Sequence, residues 1–111
     1  MTPRLTSEIW VAAYLTRLRL SAIPAYVIQK GDATAGAVIV KLATLNGRAQ
    51  AFQRSFDLAS DARIWVTLAE GPEPDIDAIL NRQRSRDPDL WVIEVEDRLG
   101  RTLLDQDGLS G

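Results

Sequence analysis

Ala37-Val-Ile-Val-Lys-Leu-Ala-Thr-Leu-Asn-Gly-Arg-Ala-Gln-Ala-Phe52 decides how this chain folds, because a β-branched run meets Asn46-Gly47 and then resumes on the far side. Asn-Gly between apolar runs is the strongest short hairpin signal, since both residues tolerate the positive φ of a tight turn. Read as a two-residue type I′ loop, it sets Leu45 opposite Arg48, Ala43 opposite Gln50, Lys41 opposite Phe52 and Ile39 opposite Arg54. Val38, Val40, Leu42, Ala49 and Ala51 then share an uncharged face, the natural core side. Ile39, Ala43, Phe52 and Phe56 alternate with Lys41, Arg48 and Arg54 on the other. A sheet with apolar residues on both faces needs cover on both, from a helix or from another chain. Ile39, Phe52, Phe56 and Trp65 are therefore the candidate residues of a homodimer interface.

Upstream, Leu5-Thr-Ser-Glu-Ile-Trp10 predicts a helix from about Ser7 to Leu20, with Thr6 as cap, Glu8 at the positive end of the dipole and Leu5 stapled onto Trp10. Val11, Tyr14, Leu15, Leu18 and Ala22 follow helical spacing, and Ile23-Pro24 ends the element. Tyr26 to Lys30 reads as a first strand, joined through the Gly31 to Gly36 turn to the run from Ala37. Downstream, Arg63 to Leu68 predicts a further strand and Glu70 to Pro74 a loop. A second helix runs from Asp75 to about Arg86, acids first and arginines last, with Pro88 as its stop. Leu90 to Glu96 is the fifth strand, Asp97 to Gly100 a turn ending in a left-handed residue, and Arg101 to Leu104 a short returning strand. The fold class is α+β: a two-layer domain whose antiparallel meander of five to six strands carries two helices. The antiparallel assignment rests on loops too short for parallel crossovers.

The 111 residues fit one domain, 1–111, with a polar tail from about 105 that reads as frayed. A net charge of −2 argues against a broad grip on nucleic acid or on an anionic membrane. The absence of cysteine and histidine excludes thiol nucleophiles, Ser-His-Asp triads and Cys/His zinc sites. With no disulfide framework and no long uncharged apolar run, the cytoplasm is the expected compartment. Eleven arginines against two lysines fit genomic composition better than recognition.

Four constellations could carry chemistry. Glu94 and Glu96 point to one face of a strand, with Asp97 beside them, and clustered carboxylates are what divalent cations or glycoside hydrolysis require. A solvated strand face opposite Trp91, Ile93 and Val95 accounts for the same spacing and is favoured. Gly31 and Gly36 have the spacing of a phosphate loop, but no Lys-Ser/Thr follows and the next segment is a strand, so a hairpin connection is favoured. Arg82, Arg84 and Arg86 could touch RNA at a helix end, although their spacing does not put all three on one face. Trp65, beside Arg63 and Thr67, suits an interface anchor better than a base platform.

Gly31-Asp-Ala-Thr-Ala-Gly-Ala-Val-Ile-Val-Lys41 and Arg86-Asp-Pro-Asp-Leu-Trp-Val-Ile-Glu-Val-Glu-Asp-Arg-Leu-Gly-Arg101, with the Trp10 to Tyr14 part of the first helix, resemble the domain of unknown function 1491 family of alphaproteobacteria. The resemblance implies a one-domain bacterial cytosolic protein and carries over no catalytic residue and no cofactor. The leading expectation is a non-enzymatic interaction or regulatory module that self-associates or binds an unknown protein partner. Alternatives are a divalent-metal-dependent hydrolase or ligand-binding domain using Glu94, Glu96 and Asp97, and a weak RNA contact.

Overall fold

The computed structural model describes residues 5–106 and Leu109, and the Phe56 side chain lies outside that description. Helix α1 (Ser7–Leu20) starts as its sequence predicts, with Thr6 Oγ1 accepting from Ile9 N at 3.4 Å. Its buried residues Trp10, Val11, Tyr14 and Leu18 form one stripe. Five strands follow: β1 (Ala25–Gln29), β2 (Val38–Ala43), β3 (Arg48–Asp57), β4 (Ala62–Pro72) and β5 (Trp91–Glu96), with α2 (Glu73–Arg86) between the last two.

The α+β class holds, and most of the sheet is antiparallel, but its order is β1-β5-β2-β3-β4. Strand β5 inserts between β1 and β2, antiparallel to the first and parallel to the second. The meander expectation fails there for a definable reason. Short loops forbid parallel pairing between consecutive strands only, whereas β2 and β5 are joined through a hairpin and a helix. Trp91, Val92, Ile93 and Val95 are all buried, the pattern of a central strand covered on both faces. Residues 31–36 thus connect two strands that are not neighbours, and residues 101–103 form no returning strand.

The β2–β3 hairpin corrects the expected register by one residue. Observed pairs are Ala43 with Ala49, Leu42 with Gln50, Lys41 with Ala51, Val40 with Phe52 and Ile39 with Gln53. The loop spans three residues, with Leu45 at φ +62° and Gly47 at φ +84°. Asn46 Oδ1 accepts from Arg48 N at 3.2 Å and from Thr44 Oγ1 at 2.6 Å, which stabilises this longer turn. A slip of one residue exchanges faces for the whole of β3. Ala49 and Ala51 therefore join Ile39 under Ile76 and Leu80 of α2, together with Leu90 and Val92. Phe52 and Trp65 join Val38, Val40 and Leu42 on the side of α1, where Trp91, Ile93, Val95, Leu104 and Leu109 complete the larger core. The helices lie on opposite faces, so the sheet is the middle of three layers rather than one of two.

Candidate functional site

Lys41 stands in the middle of an otherwise apolar strand, on the α2 face, and its side chain is only 5% exposed. Nζ donates to Asp77 Oδ1 at 2.6 Å and to Glu94 Oε1 at 2.9 Å, and lies 2.8 Å from Glu73 Oε2. Pairing of Lys41 with Glu94 on the parallel neighbour brings the strand partners side by side, while Glu73 and Asp77, one turn apart, descend from the N-terminal part of α2. Burial opposes the ammonium charge, but bonds to Asp77, Glu73 and Glu94 outweigh it and raise the lysine well above its ordinary value. Lys41 is therefore held as a cation by its three carboxylate partners. Oxygens of the three carboxylates lie within 4.8 Å of one another, the spacing of a cation site, with the ammonium among them as counter-ion.

The sequence grouping of Glu94, Glu96 and Asp97 is divided among different partners. Glu94 belongs to the lysine cluster. Glu96 faces Tyr26, whose phenol it raises above its ordinary value through its charge and then a hydrogen bond. Asp97 forms a bidentate pair with Arg101, Nε to Oδ2 at 2.9 Å and Nη2 to Oδ1 at 3.1 Å, while Arg101 N donates to Oδ2 at 2.7 Å. The Arg101 hydrogen bond holds the Asp97 carboxyl below its usual value. Gly100 closes this turn at φ +74°, as the sequence predicts.

The glycine loop serves packing. A Cβ on Gly31 or Gly36 would collide with Asp89 O, and Asp32 O accepts from Trp91 Nε1 at 2.8 Å. Carbonyls Thr34 O and Ala33 O accept from Ser7 N and Glu8 N, so the loop's acceptors satisfy the start of α1. Of the α2 arginines, Arg84 donates to Gln29 Oε1 at 3.1 Å, while Arg82 and Arg86 are exposed.

The candidate interface residues go to separate places. Ile39 is 3% exposed beneath α2. Phe52 and Trp65 pack on the α1 core, with the Trp65 ring 5.4 Å from that of Trp10 and its Nε1 donating to Leu109 O at 3.0 Å. Phe56 occupies β3 opposite Arg63, with its side chain outside the described residues. Cover for the second face thus comes from α2 of the same chain. Three consecutive exposed apolar residues lie instead at the edge strand β1, where Tyr26, Val27 and Ile28 are 50%, 43% and 41% exposed. The signal available in the sequence was the uncharged run Ala25-Tyr-Val-Ile-Gln29 behind a proline.

A third feature is a cleft of about 640 Å³ at the start of β2, between the first turn of α1, residues 34–39, β3 and the end of α2. Arg54 and Trp10 share one wall, with the guanidinium 4.7 Å from the centre of the Trp10 ring and 5.2 Å from that of Trp65.

These features define a small α+β domain whose mixed five-stranded sheet carries a helix on each face, a buried lysine hub and an apolar edge strand. Residues 5–105 match the family described as "Protein of unknown function (DUF1491)", and the chain belongs to that family. Its fold is similar to the crystal structure of a DUF1491 family protein from Caulobacter crescentus CB15, with 41% identity, a TM-score of 0.83 and coverage of 92% of this chain and 96% of that one. An NMR structure of a DUF1491 family protein from the same organism gives 40% identity, a TM-score of 0.80 and coverage of 94% and 96%. The solution structure of protein Atu0922 from A. tumefaciens gives 33% identity, a TM-score of 0.70 and coverage of 85% and 86%. No curated protein matches the chain. Among the described residues, no helix is long and apolar enough to cross a membrane.

Proposed function

We propose that this protein is a non-enzymatic interaction module that self-associates by pairing β1 with β1 of a second copy. The observation that carries the reading is three consecutive half-exposed apolar residues on a sheet edge whose outer side has no strand neighbour among the described residues. Edge strands are normally protected by charge, proline or irregularity. The opposite edge, β4, has Arg63, Glu70, Gly71 and Pro72 and a register shift, whereas β1 contains no charged residue. Its own irregularity between Val27 and Gln29 is on the side facing β5.

A two-fold centred on Val27 sets Tyr26 opposite the partner's Ile28 and Ala25 opposite the partner's Gln29, so no like charges meet. It also brings Lys30 towards Pro24 of the other copy, whose carbonyl accepts from Glu96 N at 3.0 Å, placing a cation near the acidic end of β5. Five residues of strand form a small contact, which suits a weak association of about 1–100 µM. Sedimentation equilibrium from about 1 to 500 µM spans that range and tests the reading. Wild type approaches twice the mass of 12.3 kDa as concentration rises, and Val27→Lys stays at the monomer mass with an unchanged circular dichroism spectrum. A wild type that remains monomeric throughout, or a Val27→Lys variant that associates equally well, overturns it.

A further inference from the structure

We infer that the cleft at the start of β2 binds a small organic anion, whose carboxylate or phosphate accepts from Trp10 Nε1 beneath the Arg54 guanidinium. Trp10 is 3% exposed and lines the cleft, and its Nε1 meets no acceptor among the described residues. The other two indoles are satisfied, Trp65 by Leu109 O and Trp91 by Asp32 O. A buried N–H without a partner is costly, and native structures normally supply one from the protein, a water or a ligand. The acceptor required here has a charge preference: Arg54 stands over the face of the same ring, and Arg63 lines the same cleft. Guanidinium groups bind carboxylate and phosphate oxygens with short, charge-assisted hydrogen bonds.

Shape adds the organic body. At about 640 Å³ the cleft has the size of a small-molecule site, and Leu5, Val38 and Leu90 give it apolar wall alongside polar groups. Asp87, the acid in the lining, has its Oδ1 occupied by Asp89 N at 3.0 Å. Ser7 Oγ is likewise committed, donating to Gly36 O at 2.6 Å. The indole is thus an open donor among the described residues, with the Arg54 guanidinium above its ring. This inference stands independently of pairing through β1.

Indole N–H resonances of the ¹⁵N-labelled protein test it, because the three tryptophans report separately and two are internal controls. Inorganic phosphate, phenyl phosphate, acetate and phenylacetate are titrated at constant ionic strength to about 20 mM, a ceiling that captures millimolar affinities. The Trp10 indole proton moves downfield and saturates with phenyl phosphate or phenylacetate, at lower concentration than with the matching simple anion, while Trp65 and Trp91 stay fixed. The two pairs of probes separate a phosphate from a carboxylate preference. Arg54→Gln weakens the saturating probe about tenfold or more, and Arg54→Lys less, as expected for loss of a charge-assisted contact. A Trp10 resonance unmoved by all four probes, equal movement of all three indoles, or undiminished binding by Arg54→Gln overturns the inference.

Discussion

Replacing Lys41 with Met leaves the volume of the side chain nearly unchanged and removes the cation on which Glu73, Asp77 and Glu94 converge. Removing one member of a buried ion pair costs about 3–5 kcal/mol, because the remaining charge is left uncompensated. Exposure of two of the three carboxylates places this site at the lower end. Glu73 and Asp77 are 36% and 49% exposed, so water screens them and lets them swing outward. Glu94, 24% exposed and held on the central strand β5, has less freedom. At 4.8 Å, a like-charge pair repels by about 0.9 kcal/mol in water and about 3.5 kcal/mol at an effective dielectric of 20. Lys41→Met should therefore destabilise by about 3 kcal/mol at pH 7, lowering Tm by about 12 °C for a domain of this size. Glu94→Gln, which leaves Lys41 with two anions, should cost only about 1 kcal/mol. Urea unfolding at pH 7 measures both. A Lys41→Met loss below about 0.5 kcal/mol, of the size usual for an unremarkable surface substitution, refutes the view that the lysine anchors α2 to the sheet.

Gly36→Ala should destabilise by at least about 2 kcal/mol, since its Cβ collides with backbone at Asp89 O, and thermal unfolding measures the loss. Tyr14→Phe should cost about 1 kcal/mol in urea unfolding, because it removes the bond from Tyr14 Oη to Thr102 O at 2.8 Å and unties the C-terminal segment from α1. The Asp97 carboxyl is lowered in the folded state by Arg101, so its stabilising contribution is present above the ordinary carboxylate value near 3.9 and fades as pH falls through the folded one. Asp97→Asn should remove that acid-side dependence from the urea midpoint. Lys41 is raised, so its contribution is complete below about 10.4 and is lost as pH climbs above that through the folded value, a dependence that Lys41→Met should abolish.

Local elements were legible because their signals are local. Thr6 capping, the Trp10-Val11-Tyr14-Leu18 stripe, the stop at Pro24 and the Gly100 turn each depend on neighbours within a few residues. The register of β3 was not, because Asn46-Gly47 suits both a two-residue and a three-residue loop, and the choice depends on Leu45 accepting φ +62°. That single residue moved Phe52 to the α1 face and Ala49 and Ala51 to the α2 face. Insertion of β5 beside β2 was hidden for a different reason: pairing across some fifty residues leaves no mark in loop lengths. The unbroken apolar run Leu90 to Ile93 was the available signal. Lys41 was visible as a lone charge in Val-Ile-Val-Lys-Leu-Ala, but its partners on α2 and β5 could not be named before the topology was known.

Intermolecular NOEs in an equal mixture of ¹³C,¹⁵N-labelled and unlabelled protein test self-association through β1 most directly. Contacts from Val27 to Val27 of the other copy, and from Tyr26 to Ile28 across the two-fold, are the predicted result. Contacts arising from β4, or none at a concentration where the measured mass is that of a dimer, would contradict it.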